Sequence, residues 1–207
     1  MARWLSEEDE AQERRLLGGQ PASSGELNEF LERLKARVSE AVMSDERVRG
    51  RLGGERHEVL AVDYREEKPA EGRPFSRTAQ VGIYDYDRDV LVVAAFDLYS
   101  GAVSEVYDRE GAAPPIAAVE VDQARALVND VPGMREALRR EGSDAVAFPT
   151  PSYAFDANPR RARHRGCTFY ATGGDGEVRA TTIDLSAMDV VPDDELPDVL
   201  RPDRASP

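Results

Sequence analysis

The chain has 207 residues, enough for one domain of ordinary size or two small ones. Hydrophobic residues make up 41% and charged residues 32%; no apolar run reaches the ~18 residues of a membrane span, and Met1 to Leu17 lacks a signal-peptide pattern. Forty acids against 27 bases give a net charge of −13, which repels nucleic acid and anionic lipid, and the single Cys167 excludes an intramolecular disulfide or a multi-cysteine metal site. A cytoplasmic globular protein is the expectation. Lys35 and Lys68 are the only lysines. The acidic surface fits a codon-composition bias, adaptation to high internal salt, or a charge selected for one partner.

Residues 1–22 read as an arm whose large apolar residues are Trp4, Leu5, Leu16 and Leu17, closed by Gly18-Gly19-Gln20-Pro21. It is either a frayed terminal helix or a docking peptide anchored by Trp4-Leu5. Ser23 and Glu26 have capping-box spacing, and Leu27, Phe30, Leu31, Leu34, Val38, Ala41 and Val42 follow at helical spacing between charged residues. Asp45 is placed to cap a short second helix that Gly53-Gly54 stops. The period then changes to two. Strands are expected at 57–64, 77–84, 90–98 and 102–107, with a polar loop at 65–76 and a turn at Asp85-Tyr86-Asp87-Arg88-Asp89. The third strand is apolar on both faces and so belongs inside its sheet. A helix followed by a four-stranded meander is a compact α+β unit, spanning 23–112.

Gly111-Ala112-Ala113-Pro114-Pro115 marks a boundary, and a second unit is expected over 113–191. Val121, Ala124 and Val128 share one helical face, and Pro132 suits the first turn of a further helix carrying Met134, Ala137 and Leu138. Strands are expected at 145–148, 167–172 and 177–185, the last two joined across Gly173-Gly174-Asp175-Gly176. Residues 192–207, with four prolines and five acids, read as a loose acidic tail.

The order of these segments resembles that of the two small non-catalytic domains preceding the catalytic domain of copper amine oxidases. The residues that carry the likeness are Arg77-Thr78-Ala79-Gln80-Val81-Gly82-Ile83-Tyr84-Asp85, Val92-Val93-Ala94-Ala95-Phe96-Asp97-Leu98-Tyr99-Ser100-Gly101-Ala102-Val103, the helical pair from Glu120 to Val128 and Pro132 to Gly142, and the closing strands from Thr168 to Val191. The resemblance implies two tandem cystatin-like α+β units, each a helix packed on an antiparallel sheet. It also implies that the chain is no amine oxidase by itself. That chemistry requires three copper-binding histidines, and His57 and His164 are the only two here.

The basic run Arg160, Arg161, Arg163, His164 and Arg165 is the only such cluster in an acidic chain. It fits either a site for a phosphate, a carboxylate or an acidic partner, or a loop paired to the chain's own acids. His164 and Cys167 are three apart, too few ligands for a metal without a partner chain. Asp85, Asp87 and Asp89 alternate but lack the glycine and distal glutamate of a calcium loop. No metal, no cofactor and no catalytic residue set is expected. The functional expectation is a non-catalytic interaction or accessory protein. Its partner would be a protein, an oxidase-type catalytic chain or a second copy. The alternative is a small-ligand binder using the groove between helix and sheet or between the two units.

Overall fold

Phe30, Leu34, Val38 and Val42 recur every four residues and form the buried face of helix α1 (Ser24–Ser44). The structure, a computed structural model, describes residues 4–7, 9, 11, 12, 15, 24–67, 76–112, 114–139, 146–150, 155, 158–172 and 178–197. Ser23, and with it the expected capping box, lies outside them. Helix α2 (Glu46–Arg49) starts where Asp45 accepts the Arg47 backbone N–H at 2.9 Å. It closes at Gly50, earlier than Gly53-Gly54.

Two units are present: Met1–Asp85 with Leu91–Arg109, and Tyr86–Val90 with Glu110–Pro207. The first holds a four-stranded sheet, β1 (His57–Glu67), β2 (Ser76–Asp85), β3 (Val90–Asp97) and β4 (Ala102–Arg109), in sequential order. Strands β1 and β2 pair antiparallel from His57↔Asp85 to Glu67↔Ser76, with an irregularity between Val59 and Ala61. Strand β3 is interior, and only Ala95 and Asp97 escape full burial on it. Ala79, Val81 and Ile83 alternate along β2 as its buried face, and α1 packs on this sheet.

The second unit repeats the plan with α3 (Ala118–Asp130), α4 (Pro132–Leu138), β5 (Val146–Thr150), β6 (Gly166–Thr172), β7 (Val178–Asp184) and β8 (Asp189–Val190), the strands again in sequential order. Its core gathers Ala124 and Val128 of α3, Met134 and Ala137 of α4, and Cys167, Phe169, Ala171 and Ile183 of the sheet. Each unit is therefore α+β, helix on antiparallel sheet. The α3 face differs by one residue from the expected one: Glu120, not Val121, is buried with Ala124 and Val128. Residues 192–197 are part of the fold. Asp193–Glu195 form a 3-10 turn, and Leu196 is buried with Phe155 and Val191.

One device shapes hairpins in both units. Asp97 Oδ1 accepts the Tyr99 and Ser100 N–H groups at 2.9 and 2.7 Å, and Gly101 ends the turn at φ 67°. Asp184 Oδ1 accepts the Ser186 and Ala187 N–H groups, both at 2.9 Å, and Met188 ends it at φ 54°. An aspartate that satisfies two turn amides, followed four residues on by a left-handed residue, reverses the chain. Among the described residues, no helix is long and apolar enough to cross a membrane.

Candidate functional site

The basic run after Pro159 splits into two fates. Arg161 and Arg165 turn inward. Arg161 donates to Asp184 at 2.6 Å, to Asp189 at 2.6 and 3.1 Å, and to Glu195 at 2.9 Å. The Asp189 hydrogen bonds, then those of Glu195 and Asp184, raise its already high pKa against the opposing effect of burial. Arg165 forks onto Glu120 at 2.5 and 2.8 Å and also donates to the Pro114 and Pro115 carbonyls at 2.6 and 2.7 Å. Glu120 is wholly buried and accepts two further bonds, from the Tyr86 hydroxyl and the Ala117 N–H, both at 2.8 Å. A buried carboxylate and guanidinium are tolerated because each has its other polar sites filled.

His164 lies between two carboxylates. Its Nδ1 is 2.7 Å from Asp184 Oδ2, and its Nε2 is 3.6 Å from Asp89 Oδ2. The Ser186 hydroxyl donates to Asp89 and accepts the Arg165 N–H at 3.0 Å. The arrangement is chemically an ion-pair core: the guanidinium groups of Arg161 and Arg165 are fixed and neutralised by acids from three separate segments. Arg160 and Arg163, by contrast, are exposed, Arg163 at φ 79°. The structure thus brings Arg161, His164 and Arg165 together and leaves Arg160 and Arg163 outside that network.

Cys167 faces the core on β6, and burial, with the nearby Glu120 charge, pushes its thiol up to about 11 against the opposing pull of Arg165. His164 is engaged with aspartates instead, so the two do not form a ligand pair. The three aspartates of the first turn also diverge. Asp85 is buried and accepts the Gly53 N–H at 2.6 Å, Asp87 is exposed, and Asp89 meets Ser186 and His164. Among the described residues, no group of three His, Cys, Asp or Glu side chains could hold a metal ion.

Trp4 and Leu5 are seated on their own unit. Leu5 is buried. The Trp4 ring meets Phe96 edge-on with centroids 4.9 Å apart, and the Arg37 guanidinium lies 4.7 Å over it. The Trp4 N–H donates to the Tyr99 carbonyl at 3.1 Å. Ser6 and Asp9 form a reciprocal cap, with the Ser6 N–H on Asp9 at 3.1 Å and the Asp9 N–H on the Ser6 hydroxyl at 3.1 Å. Arg37 then donates to Asp9 at 2.8 Å and Arg33 to Gln12 at 3.1 Å.

A surface that sequence reasoning did not single out lies on the second sheet. Its register aligns Val146 with Tyr170 and Tyr170 with Ala180, while Phe148 pairs with Thr168 and Val178 with Thr172. Strand alternation puts these on the face opposite Phe169 and Ala171. Val146, Phe148 and Val178 are 55%, 51% and 59% exposed, and none of the residues in these rows carries a charge. Phe148 and Tyr170 pack edge to face with centroids 5.7 Å apart. The signal was present as Val146 and Phe148 two apart on an edge strand, but the sequence does not tell which face is covered.

No family model matches the chain, and no curated protein matches it. Among solved structures, a copper-containing benzylamine oxidase from Hansenula polymorpha is similar with a TM-score of 0.48 and 14% identity over 75% of this chain. This chain spans 28% of the length of that one.

Proposed function

We propose that the chain is a non-catalytic, cytoplasmic accessory protein that works by binding another protein. The observation that carries this reading is the uncharged face of Val146, Phe148, Tyr170, Val178 and Ala180, in a chain of which 32% of residues are charged. Exposed apolar side chains grouped on one part of a sheet face are what a protein interface offers. The motif likeness to the small domains of copper amine oxidases supports an oxidase-type catalytic chain as the partner, with a second copy of this chain as the other choice. Arg160 and Arg163 would add exposed cations toward acidic groups of that partner. The small-ligand reading is less well supported. A cleft of about 220 Å³ is lined by Asp9, Gln12, Phe30, Arg33, Leu34 and Arg37, which is smaller and more charged than the usual ligand pocket.

The test is tagged purification from the native cells with mass spectrometry and light scattering, using the wild-type chain beside a Phe148→Asp, Val178→Asp variant. A stoichiometric protein retained by the wild type and lost by the variant is the expected result. A monomeric wild-type chain recovered alone, or equal retention by both, would overturn the reading.

A further inference from the structure

The N-terminal segment is bound as a ligand would be. Its backbone donates to Tyr99, its indole fills a place between Phe96 and Arg37, and its acid lies on Arg37. The receiving side has a fitted shape. A Cβ built on Gly101 would lie 2.5 Å from the Trp4 ring, so the ring occupies space that only glycine leaves open. Arg37 serves twice, over the indole and on the Asp9 carboxylate, and so measures the spacing between the two. In sequence, residues 16–23 that join this segment to α1 include Gly18, Gly19 and Pro21, a linker composition.

We propose that Phe96, Tyr99 and Gly101 of the β3–β4 hairpin, with Arg33 and Arg37 of α1, form a recognition site for a linear segment of the pattern Trp-Leu followed four residues later by Asp. The chain's own Trp4, Leu5, Asp9 and Gln12 fill it in cis, and the same segment of a second copy is its occupant in trans. Every contact the segment makes in cis can be made identically by a second copy, which is the condition for exchange of an element between protomers. The tethered segment competes at an effective concentration in the millimolar range, so the site accepts the trans segment only when its own is withdrawn. The site belongs to the first unit. Its failure would leave the sheet-face reading of the second unit standing, and the reverse also holds.

The probe is a fluorescein-labelled peptide with the sequence of residues 1–15, followed by anisotropy against the full chain. Trp4→Ala in the chain withdraws the cis segment and leaves the receiving residues in place. The labelled peptide is expected to bind this variant about ten-fold or more tightly than it binds the wild type. A peptide carrying Trp4→Ala, or a scrambled one, should not bind. Should the Trp4→Ala chain lose its circular dichroism, Leu5→Ala combined with Asp9→Arg withdraws the segment by other contacts. Gly101→Asn tests the receiving side: asparagine tolerates the left-handed backbone while its Cβ excludes the indole. Trp4 is the chain's only tryptophan, so its emission should shift toward that of a solvated indole in this variant. Binding of the peptide to neither withdrawn variant, or equal binding of the scrambled peptide, would overturn the proposal.

Discussion

Glu120 is the most exacting test of the ion-pair core. Changing it to alanine removes the bidentate partner of Arg165, the acceptor of the Tyr86 hydroxyl and the acceptor of the Ala117 N–H. Arg165 keeps the two proline carbonyls but loses its counter-charge while only 7% exposed. Breaking a buried pair from one side costs ~3–5 kcal/mol, chiefly because the remaining charge stays desolvated. Against a total stability of about 5–15 kcal/mol this is a large share. For a unit of this size each kcal/mol moves the melting temperature by ~4–8 °C, so a fall of roughly 15 °C or more is expected. Thermal and urea unfolding followed by circular dichroism measure it. The companion is Glu120→Leu with Arg165→Met, which removes both charges and leaves fewer buried polar groups without partners. It should cost less than either single change, giving a coupling energy of about 2 kcal/mol or more. Single variants that each cost under ~1 kcal/mol, or a double variant equal to their sum, would refute the claim that this pair is buried and mutually dependent.

Three further outcomes are expected. Because burial raises the Cys167 thiol to about 11, a thiol reagent at pH 8 should react slowly with the folded chain and quickly in urea; rapid stoichiometric labelling without denaturant would contradict its placement. Gly166→Ala should destabilise by about 1–3 kcal/mol, since the new methyl would lie 2.5 Å from the Phe155 ring, whereas Gly111→Ala, with nothing within 4 Å, should cost only about 1 kcal/mol of backbone strain at φ 64°. For Asp9, burial acts to raise the pKa, but hydrogen bonds from Arg37 and Ser6 and the Arg37 charge outweigh it and hold the carboxyl below 3.8. Its contribution to seating the arm is therefore present above pH 3.8 and lost as pH falls through the lower folded value, so Trp4 emission should stay constant from pH 5 to 7 and shift only in stronger acid. An emission change centred between pH 5 and 7 would assign the titration to another group.

The elements that sequence made legible are those whose pattern is local. The α1 stripe needs only a period near four, and Phe30, Leu34, Val38 and Val42 are the buried residues. Strand β3 announced its interior position by being apolar on both faces. Strand β8 is two residues long, too short for any alternation to appear, and its pairing with β7 depends on the turn after Asp184. The fold of residues 192–197 was hidden for another reason. Their composition is that of a tail, and what holds them is the packing of Leu196 on Phe155 and the bond of Glu195 to Arg161, both non-local.

The same distinction explains the basic run. Five basic residues within six positions look like a surface patch, because adjacency along the chain is all that a sequence displays. Arg161 and Arg165 are four apart, yet their acidic partners come from 23 to 45 residues away, so the acids that neutralise them leave no local trace. Glu120 is the exception. It falls at the same spacing as Ala124 and Val128, an acid on an otherwise apolar helical stripe, and a carboxylate there must be buried with a partner or distort the helix packing. An acid at a core position is therefore the sequence signal that some basic side chain is buried with it. In this chain the structure supplies that partner as Arg165, 45 residues away. Arg160 and Arg163 are exposed and lie outside that network.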